Sequence, residues 1–179
     1  MANSKVIAAV RSREELLKTI STKVKIVFHL SPDILTLKDD VTLVHQADKK
    51  LFIHIDLADG IGKDRSGVQF VKMMGVDGII TTRSNIIKYA REFEVVALQR
   101  FFIIDSKSIS TTVETLNSSK ANMIEIMPGN NPKAVKRLRE KINVPIIAGG
   151  LIETKEEALE ILKSGATAVS TGACELWQI

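Results

Sequence analysis

The sequence predicts an α/β fold: a single-domain, compact (β/α)8 TIM-like barrel with short helices, spanning residues 1–179. Short apolar runs alternate with amphipathic segments along the whole chain, which implies a parallel sheet covered by helices. Eight such runs are present, and eight strand–helix units close most simply into a barrel. Such barrels usually take about 250 residues, so loops here must be minimal, and a doubly wound open sheet is the alternative.

Strands are predicted where an apolar run is closed by turn residues, and helices where apolar residues recur with helical spacing. The predicted strands are Lys5–Val10, Lys25–Leu30, Leu51–Leu57, Gly78–Thr82, Val95–Phe101, Met123–Met127, Pro145–Ala148 and Ala168–Thr171. The predicted helices are Ser12–Ile20, Leu37–Ala47, Ser66–Met74, Asn85–Glu92, Lys107–Asn117, Pro132–Lys141 and Thr154–Ser164, with a short eighth helix at the end.

Capping residues support several of these helices. Ser12 and Thr154 each precede a pair of glutamates, and Asn131 precedes a proline at a first-turn position. Gly165 follows the seventh helix, where a left-handed residue commonly ends a helix.

Composition and charge exclude several classes of protein. Hydrophobic residues make up 45% of the chain, yet no apolar run approaches the ~18 residues of a membrane helix. The first residues, MANSKVIAAV, indicate a first strand and not a signal peptide, so we expect a cytoplasmic protein. Cys174 is the only cysteine, which excludes an intrachain disulfide and favours a small buried residue over a reactive thiol.

The net charge of +4 permits an anionic ligand or nucleic acid. One predicted helix gathers a basic cluster, which is either a solvated face or a patch for RNA phosphates. The basic cluster consists of Lys133, Lys136, Arg137, Arg139 and Lys141.

Aromatic residues are only 4% of the chain, and Phe101, Phe102 and Trp177 are predicted to pack in the interior.

Two glycine-containing turns predict a phosphate site. Gly149 and Gly150 follow the seventh strand, and Thr171 and Gly172 close the eighth. In barrels of this class the loops after strands 7 and 8, with a short extra helix, commonly bind phosphate through backbone N–H groups. The alternative is that these glycines only make tight turns.

Polar residues at the other strand ends predict the rest of a ligand site. His54 and Asp56 are two apart on the third predicted strand, so both should face the barrel interior, as should Glu125. These groups suit a polyol, general acid–base chemistry or a buried polar network. A metal site is disfavoured, because no typical ligand spacing is present. Arg11, Arg83 and Arg100 stand at further strand ends.

The segment 56–70, DLADGIGKDRSGVQF, is glycine-rich and charged. It is either a mobile lid that brings Lys63 and Arg65 to an anion or an ordinary exposed loop.

Taken together, these motifs resemble the glycerol uptake operon antiterminator family (glycerol-3-phosphate-responsive antiterminators). The resemblance covers nearly the whole chain. It rests on AAVRS (8–12), HIDLADGIGKD (54–64), GIITTRSNII (78–87), ALQRFFIIDSKS (97–108), IEIMPG (124–129), VPIIAGGLI (144–152) and GATAVSTGACELW (165–177).

The resemblance implies a cytoplasmic, RNA-binding transcription antiterminator that senses glycerol 3-phosphate, acts on leader mRNA and is not an enzyme. Carried onto this chain, Gly149, Gly150, Thr171 and Gly172 would bind the phosphate. His54, Asp56 and Glu125 would face the glycerol end. It implies no cofactor beyond the effector and no membrane partner, and it leaves the oligomeric state open, a homo-oligomer included.

Two other functions fit the same residues. One is an enzyme acting on a three-carbon phosphate, with His54 or Glu125 as the base and Asp56 orienting it. The other is a phosphate-binding barrel without an RNA role.

Overall fold

The computed structural model describes residues 4–179 as a closed barrel of parallel strands, which confirms the predicted fold class. The strands are β1 (Val6–Val10), β2 (Ile26–His29), β3 (Lys50–His54), β4 (Gly78–Thr81), β5 (Val96–Phe102), β6 (Met123–Met127), β7 (Ile146–Gly149) and β8 (Ala168–Thr171). Each strand pairs with the next along the chain, and β8 pairs with β1 to close the barrel.

Seven α-helices connect the strands. They are α1 (Arg13–Thr19), α2 (Leu37–Gln46), α3 (Arg65–Met74), α4 (Ser84–Glu92), α5 (Ser106–Ser119), α6 (Pro132–Arg139) and α7 (Lys155–Lys163). Two 3-10 turns, Ile55–Leu57 and Cys174–Gln178, follow β3 and β8. In the described residues 4–179, none of the helices is both long enough and apolar enough to span a bilayer.

Short elements explain how so few residues close a barrel. The helices run from 7 residues in α1 to 14 in α5, and the strands from 4 to 7. The predicted caps are confirmed: the side chains of Ser12, Asn131 and Thr154 each accept a hydrogen bond from the first turn of the helix that follows. Gly165 has φ +112° after α7, as its position predicted.

The core has two layers, one between the barrel and its helices and one inside the barrel. The inner layer is small and centres on Phe28 and Phe52, whose rings lie 5.6 Å apart. This layer fills the barrel interior below the polar residues at the carboxyl ends of the strands. The other buried members of the inner layer are Ile7, Ile80, Leu98 and Ile147.

One predicted strand is too long. β3 ends at His54 and not at Leu57, because residues Ile55–Leu57 form a 3-10 turn. The Asp56 carboxylate accepts hydrogen bonds from the hydroxyl of Thr81 at 2.7 Å and from the backbone N–H of Thr82 at 2.8 Å. These bonds hold the turn against the end of β4. The prediction that His54 and Asp56 share one strand face is therefore wrong.

Candidate functional site

A polar cavity of about 470 Å³ opens at the carboxyl ends of β5 to β8 and β1. This is the end of the barrel where sites of this fold class lie. We call this cavity the mouth pocket. Its lining comprises Ala9, Arg11, Leu30, Arg100, Glu125, Met127, Gly150, Leu151, Ile152, Glu153, Ser170, Thr171, Gly172, Ala173 and Glu175.

The turns after β7 and β8 bring backbone N–H groups to one wall of this pocket. Gly150 and Leu151 both have left-handed backbones, with φ +79° and φ +59°. A non-glycine residue in this region is strained, and such strain concentrates at functional sites. The N–H groups of Gly150, Leu151 and Gly172 donate to no acceptor within the described residues 4–179. All three residues also line the mouth pocket.

Thr171 fixes the two turns to each other. Its hydroxyl donates to the carbonyl of Ile152 at 2.6 Å and accepts from the N–H of Ala173 at 3.0 Å. The indole N–H of Trp177 donates to the Thr171 carbonyl at 2.9 Å, so the last 3-10 turn is attached to the same point. The Thr171 side chain holds the pocket wall together, and its hydroxyl is already engaged on both sides.

A buried ion pair forms the floor of the pocket. The Arg100 Nε donates to one oxygen of Glu125 at 2.6 Å, and the Ser170 hydroxyl donates to the other at 2.6 Å. The Arg100 and Glu125 side chains are 8% and 2% exposed. Gly149 leaves room for this network, because a Cβ there would lie 2.5 Å from the Glu125 Oε1. Glu125 faces the barrel interior, as its position in β6 predicted.

Two arginines supply positive charge to the pocket. Arg100 uses Nε for Glu125, and its two Nη groups have no protein acceptor within residues 4–179. Arg11, exposed at the end of β1, lines the same pocket. Because Glu125 is neutralised by Arg100, the remaining carboxylates in the lining are Glu153 and Glu175 at the exposed rim.

His54 is not in the lining of the mouth pocket and is uncharged at neutral pH. Its side chain is buried, and its Nδ1 has no hydrogen-bond partner in the described part of the chain. Burial, together with the positive charge of Arg100, lowers the pKa of His54 to about 4, although the Asp56 carboxylate opposes the shift. The imidazole therefore neighbours the ion pair as a neutral group.

The titration of His54 predicts a pH dependence of stability. Its pKa is about 4 in the folded protein and near 6.5 in an unfolded chain, so the unfolded state binds the extra proton between these values. We expect the free energy of unfolding to fall by up to about 3 kcal/mol as the pH drops through this window. A His54→Gln variant should lose that part of the pH dependence in denaturant titrations.

His29 is the matched control, because burial also lowers its pKa, while Asp40 and Glu15 oppose the shift. The free energy of unfolding of His54→Gln could instead keep its pH dependence, while that of His29→Gln loses it. This result would assign the proton uptake on unfolding to His29.

Asp56 connects β3 to β4. Besides Thr81 and the Thr82 N–H, its carboxylate accepts from the Thr82 hydroxyl at 3.0 Å, and the Arg83 Nε lies 3.7 Å away. Neither Asp56 nor Arg83 is in the lining of the mouth pocket.

We expect Asp56→Ala to lower the free energy of unfolding by about 1–3 kcal/mol, because the buried Thr81 hydroxyl loses its acceptor. Calorimetry with glycerol 3-phosphate should show nearly unchanged affinity in the same variant. A large loss of affinity in a protein of normal stability would instead place Asp56 at the ligand, as the sequence predicted.

The segment after β3 is tied to the barrel by its cations. Lys63 Nζ donates to the carbonyls of Ala58 at 2.5 Å and Ile61 at 2.8 Å. Arg65 pairs with Glu92 and lies 4.7 Å from the centre of the Phe93 ring. Both side chains are therefore engaged by other protein groups, and neither lines the mouth pocket.

Ser170 belongs to the site although the sequence did not predict it, and Cys174 differs from its predicted burial. Ser170 lies inside the barrel because it alternates with the exterior Val169, a signal present in the sequence of β8. Cys174 is exposed, so the prediction of a buried residue is wrong. In residues 4–179 no group of three or more potential metal-binding side chains is found.

The family model for glycerol-3-phosphate responsive antiterminators matches residues 6–177. The uncharacterized protein YgcP of Escherichia coli (strain K12) is 34% identical over 175 residues, which cover 97% of this chain and 92% of that protein.

Among solved structures, the glycerol uptake operon antiterminator regulatory protein of Listeria monocytogenes (strain 4b F2365) has a TM-score of 0.92 at 32% identity, covering 99% of this chain and 96% of that chain. A glycerol uptake operon antiterminator-related protein from Thermotoga maritima (strain MSB8) has a TM-score of 0.88 at 32% identity, covering 99% of this chain and 100% of that chain. Aldolases share the barrel at 14% identity, which is a likeness of fold alone. The match over nearly the whole chain shows that it belongs to the glycerol-3-phosphate responsive antiterminator family.

Proposed function

We propose that this protein is an RNA-binding transcription antiterminator whose mouth pocket binds glycerol 3-phosphate. The observation that carries the proposal is the pocket wall of unengaged N–H groups, from Gly150, Leu151 and Gly172, in a chain of this family. A phosphate dianion needs several donors and nearby positive charge. The backbone N–H groups supply the donors, and Arg11 and Arg100 supply the charge.

The glycerol end would lie toward the floor of the pocket. Ser170 and the Nη groups of Arg100 are the polar groups that line it there, and Glu125 holds both in position. Hydroxyl groups of a polyol can accept from guanidinium N–H groups and donate to carboxylate or hydroxyl oxygens. In this arrangement His54, which does not line the pocket, would support the site without contacting the ligand.

Sensing is favoured over catalysis by the composition of the lining. Among the described residues, the pocket lining includes no lysine, histidine or cysteine. An imine-forming amine, an imidazole base and a thiolate nucleophile are the usual protein groups for chemistry on small phosphates. Glu125, the one buried carboxylate in the described lining of the pocket, is already paired with Arg100. An effector bound here would shift the population of protein competent for RNA.

Two measurements on the same preparation test the proposal. Calorimetry should detect binding of glycerol 3-phosphate that exceeds the binding of glycerol or inorganic phosphate alone. Fluorescence anisotropy with the leader transcript of the organism's glycerol uptake operon should show tighter binding when glycerol 3-phosphate is present. Steady consumption of glycerol or triose phosphates, without RNA binding, would support the enzyme instead. Ligand binding with neither turnover nor RNA binding would support a phosphate-binding barrel.

A further inference from the structure

The rim that follows β5 exposes two large apolar side chains. Phe102, the last residue of β5, is 57% exposed, and Ile104 in the following loop is 88% exposed. The prediction that Phe102 packs in the interior is therefore wrong, whereas Phe101 is half-buried against the core as expected. Neighbouring exposed apolar side chains that form one patch can mark an interaction site, whereas single ones are common on protein surfaces.

Cations flank these side chains on both sides. One cleft of about 240 Å³, between the starts of α5 and α6, is lined by Ile104, Lys133 and Arg137. A second cleft of about 320 Å³ is lined by Phe102, Ile104 and Lys107. Arg137 is oriented across the groove, because its Nη1 donates to the Ser106 hydroxyl at 3.2 Å. We call Phe102, Ile104, Lys107, Lys133 and Arg137 the β5–α6 rim.

We propose that the β5–α6 rim binds a single-stranded segment of RNA, with a base stacked on Phe102 and backbone phosphates held by Lys107, Lys133 and Arg137. This inference rests on the proposed function and says where on the protein the RNA lies. An exposed aromatic ring beside a row of cations is the arrangement that single-stranded nucleic acid recognises.

Charge complementarity supports this occupant. The one carboxylate that lines the two clefts, Asp105, is occupied as the cap of α5, where it accepts from the Ser108 N–H at 2.8 Å. The neighbouring surface of α5 carries the hydroxyls of Ser106 and Thr111, which can donate to phosphate or ribose oxygens. The rim therefore offers donors and positive charge with little repulsion for a polyanion.

A second basic surface lies at the opposite end of the barrel, in a groove of about 780 Å³ lined by Lys5, Lys23, Lys25 and Lys49. Two of these lysines are already engaged, since Lys25 pairs with Asp48 and the buried Lys49 donates to the carbonyls of Thr22 and Val24. In the described chain, this groove has no aromatic side chain in its lining. It could attract phosphates but could not stack a base.

The β5–α6 rim is joined to the mouth pocket by β5 itself. Arg100, which lines the pocket, and Phe102 are two residues apart on this strand. The N–H of Ile103 donates to the carbonyl of Met127, another pocket residue, at 2.8 Å. A ligand that engages Arg100 would thus act directly on the strand that presents Phe102 to RNA.

The test is fluorescence anisotropy with the labelled leader transcript, glycerol 3-phosphate being present throughout. Phe102→Ala should weaken binding about tenfold, since stacking of one base is typically worth that much or more. Phe102→Leu should weaken RNA binding too, whereas Phe102→Tyr should bind RNA like the wild type. Met73→Ala is the matched control, because Met73 is 70% exposed on α3, away from the rim.

Removing the charges should change the salt dependence. The pair Lys133→Gln and Arg137→Gln should lower the slope of log affinity against log salt by about 0.7 for each lost phosphate contact. The control pair, Lys23→Gln and Lys50→Gln, removes the same charge at the opposite end of the barrel. Glycerol 3-phosphate affinity, measured by calorimetry, should stay unchanged in all of these variants.

The outcomes separate the two proposals. A wild-type protein that fails to bind the leader transcript would overturn both the proposed function and the RNA surface. Wild-type binding that Phe102→Ala and the Lys133–Arg137 pair leave intact would overturn the surface alone. Weakening by the Lys23–Lys50 pair in place of the rim pair would also overturn it and would move the RNA to the opposite end of the barrel.

Discussion

Removing the Glu125 carboxylate is expected to destabilise this barrel by about 3–5 kcal/mol, because Arg100 would be left buried without its counter-charge. The Glu125→Ala change also removes the acceptor of the Ser170 hydroxyl, which donates to Glu125 at 2.6 Å. Equilibrium unfolding in urea, followed by circular dichroism, measures this loss. Glycerol 3-phosphate binding should be lost as well, since Arg100 would no longer be held at the pocket floor.

A second variant distinguishes the ion pair from simple packing. Replacing both partners together, as Glu125→Leu with Arg100→Met, removes the uncompensated charge and should recover much of the lost stability. The double variant should still fail to bind glycerol 3-phosphate, because the Nη donors are gone. If the double variant is as unstable as Glu125→Ala, the loss arises from packing around β5 and β6 and not from charge.

The barrel was predictable because its signals are local and repeat. Apolar runs recur in each strand–helix unit, and Ser12, Asn131 and Thr154 cap their helices as predicted. The end of β3 was not predictable in this way. It is set by the bonds from Asp56 to the neighbouring strand β4, and a pattern within one strand contains no information about such partners.

The candidate site was predictable to the extent that alternation along a strand decides which residues face inward. Glu125 follows that rule, and so does Ser170, although a single serine in an apolar strand does not by itself indicate a site. Contacts over long sequence distances were not predictable, such as the Arg100–Glu125 pair across β5 and β6. Phe102 is exposed because β5 extends to the rim of the barrel, which the apolar run alone does not show.

The other large effect is expected at the turn after β8. A Cβ added at Gly172 would have one neighbour within 4 Å, the Ala9 carbonyl oxygen at 3.6 Å, and the backbone there is not left-handed. Gly172→Val should therefore fold normally while its side chain fills space beside the pocket N–H groups. We expect the affinity for glycerol 3-phosphate to fall more than about tenfold, or about 1.4 kcal/mol. Calorimetry should show a parallel loss for inorganic phosphate.

The turn after β7 supplies a matched comparison for the proposed phosphate-binding wall of the mouth pocket. Gly150 and Gly75 have similar left-handed backbones, with φ +79° and φ +87°, so Gly150→Ala and Gly75→Ala carry comparable backbone strain. Only Gly150 lines the mouth pocket, whereas Gly75 ends α3, where a Cβ would meet Val41 at an ordinary 3.6 Å. Both variants should lose stability, but only Gly150→Ala should lose ligand affinity. Unchanged affinity in folded Gly150→Ala and Gly172→Val proteins would show that the phosphate is not bound by these two turns, and Arg11 and Arg100 in the same pocket would then be the expected donors.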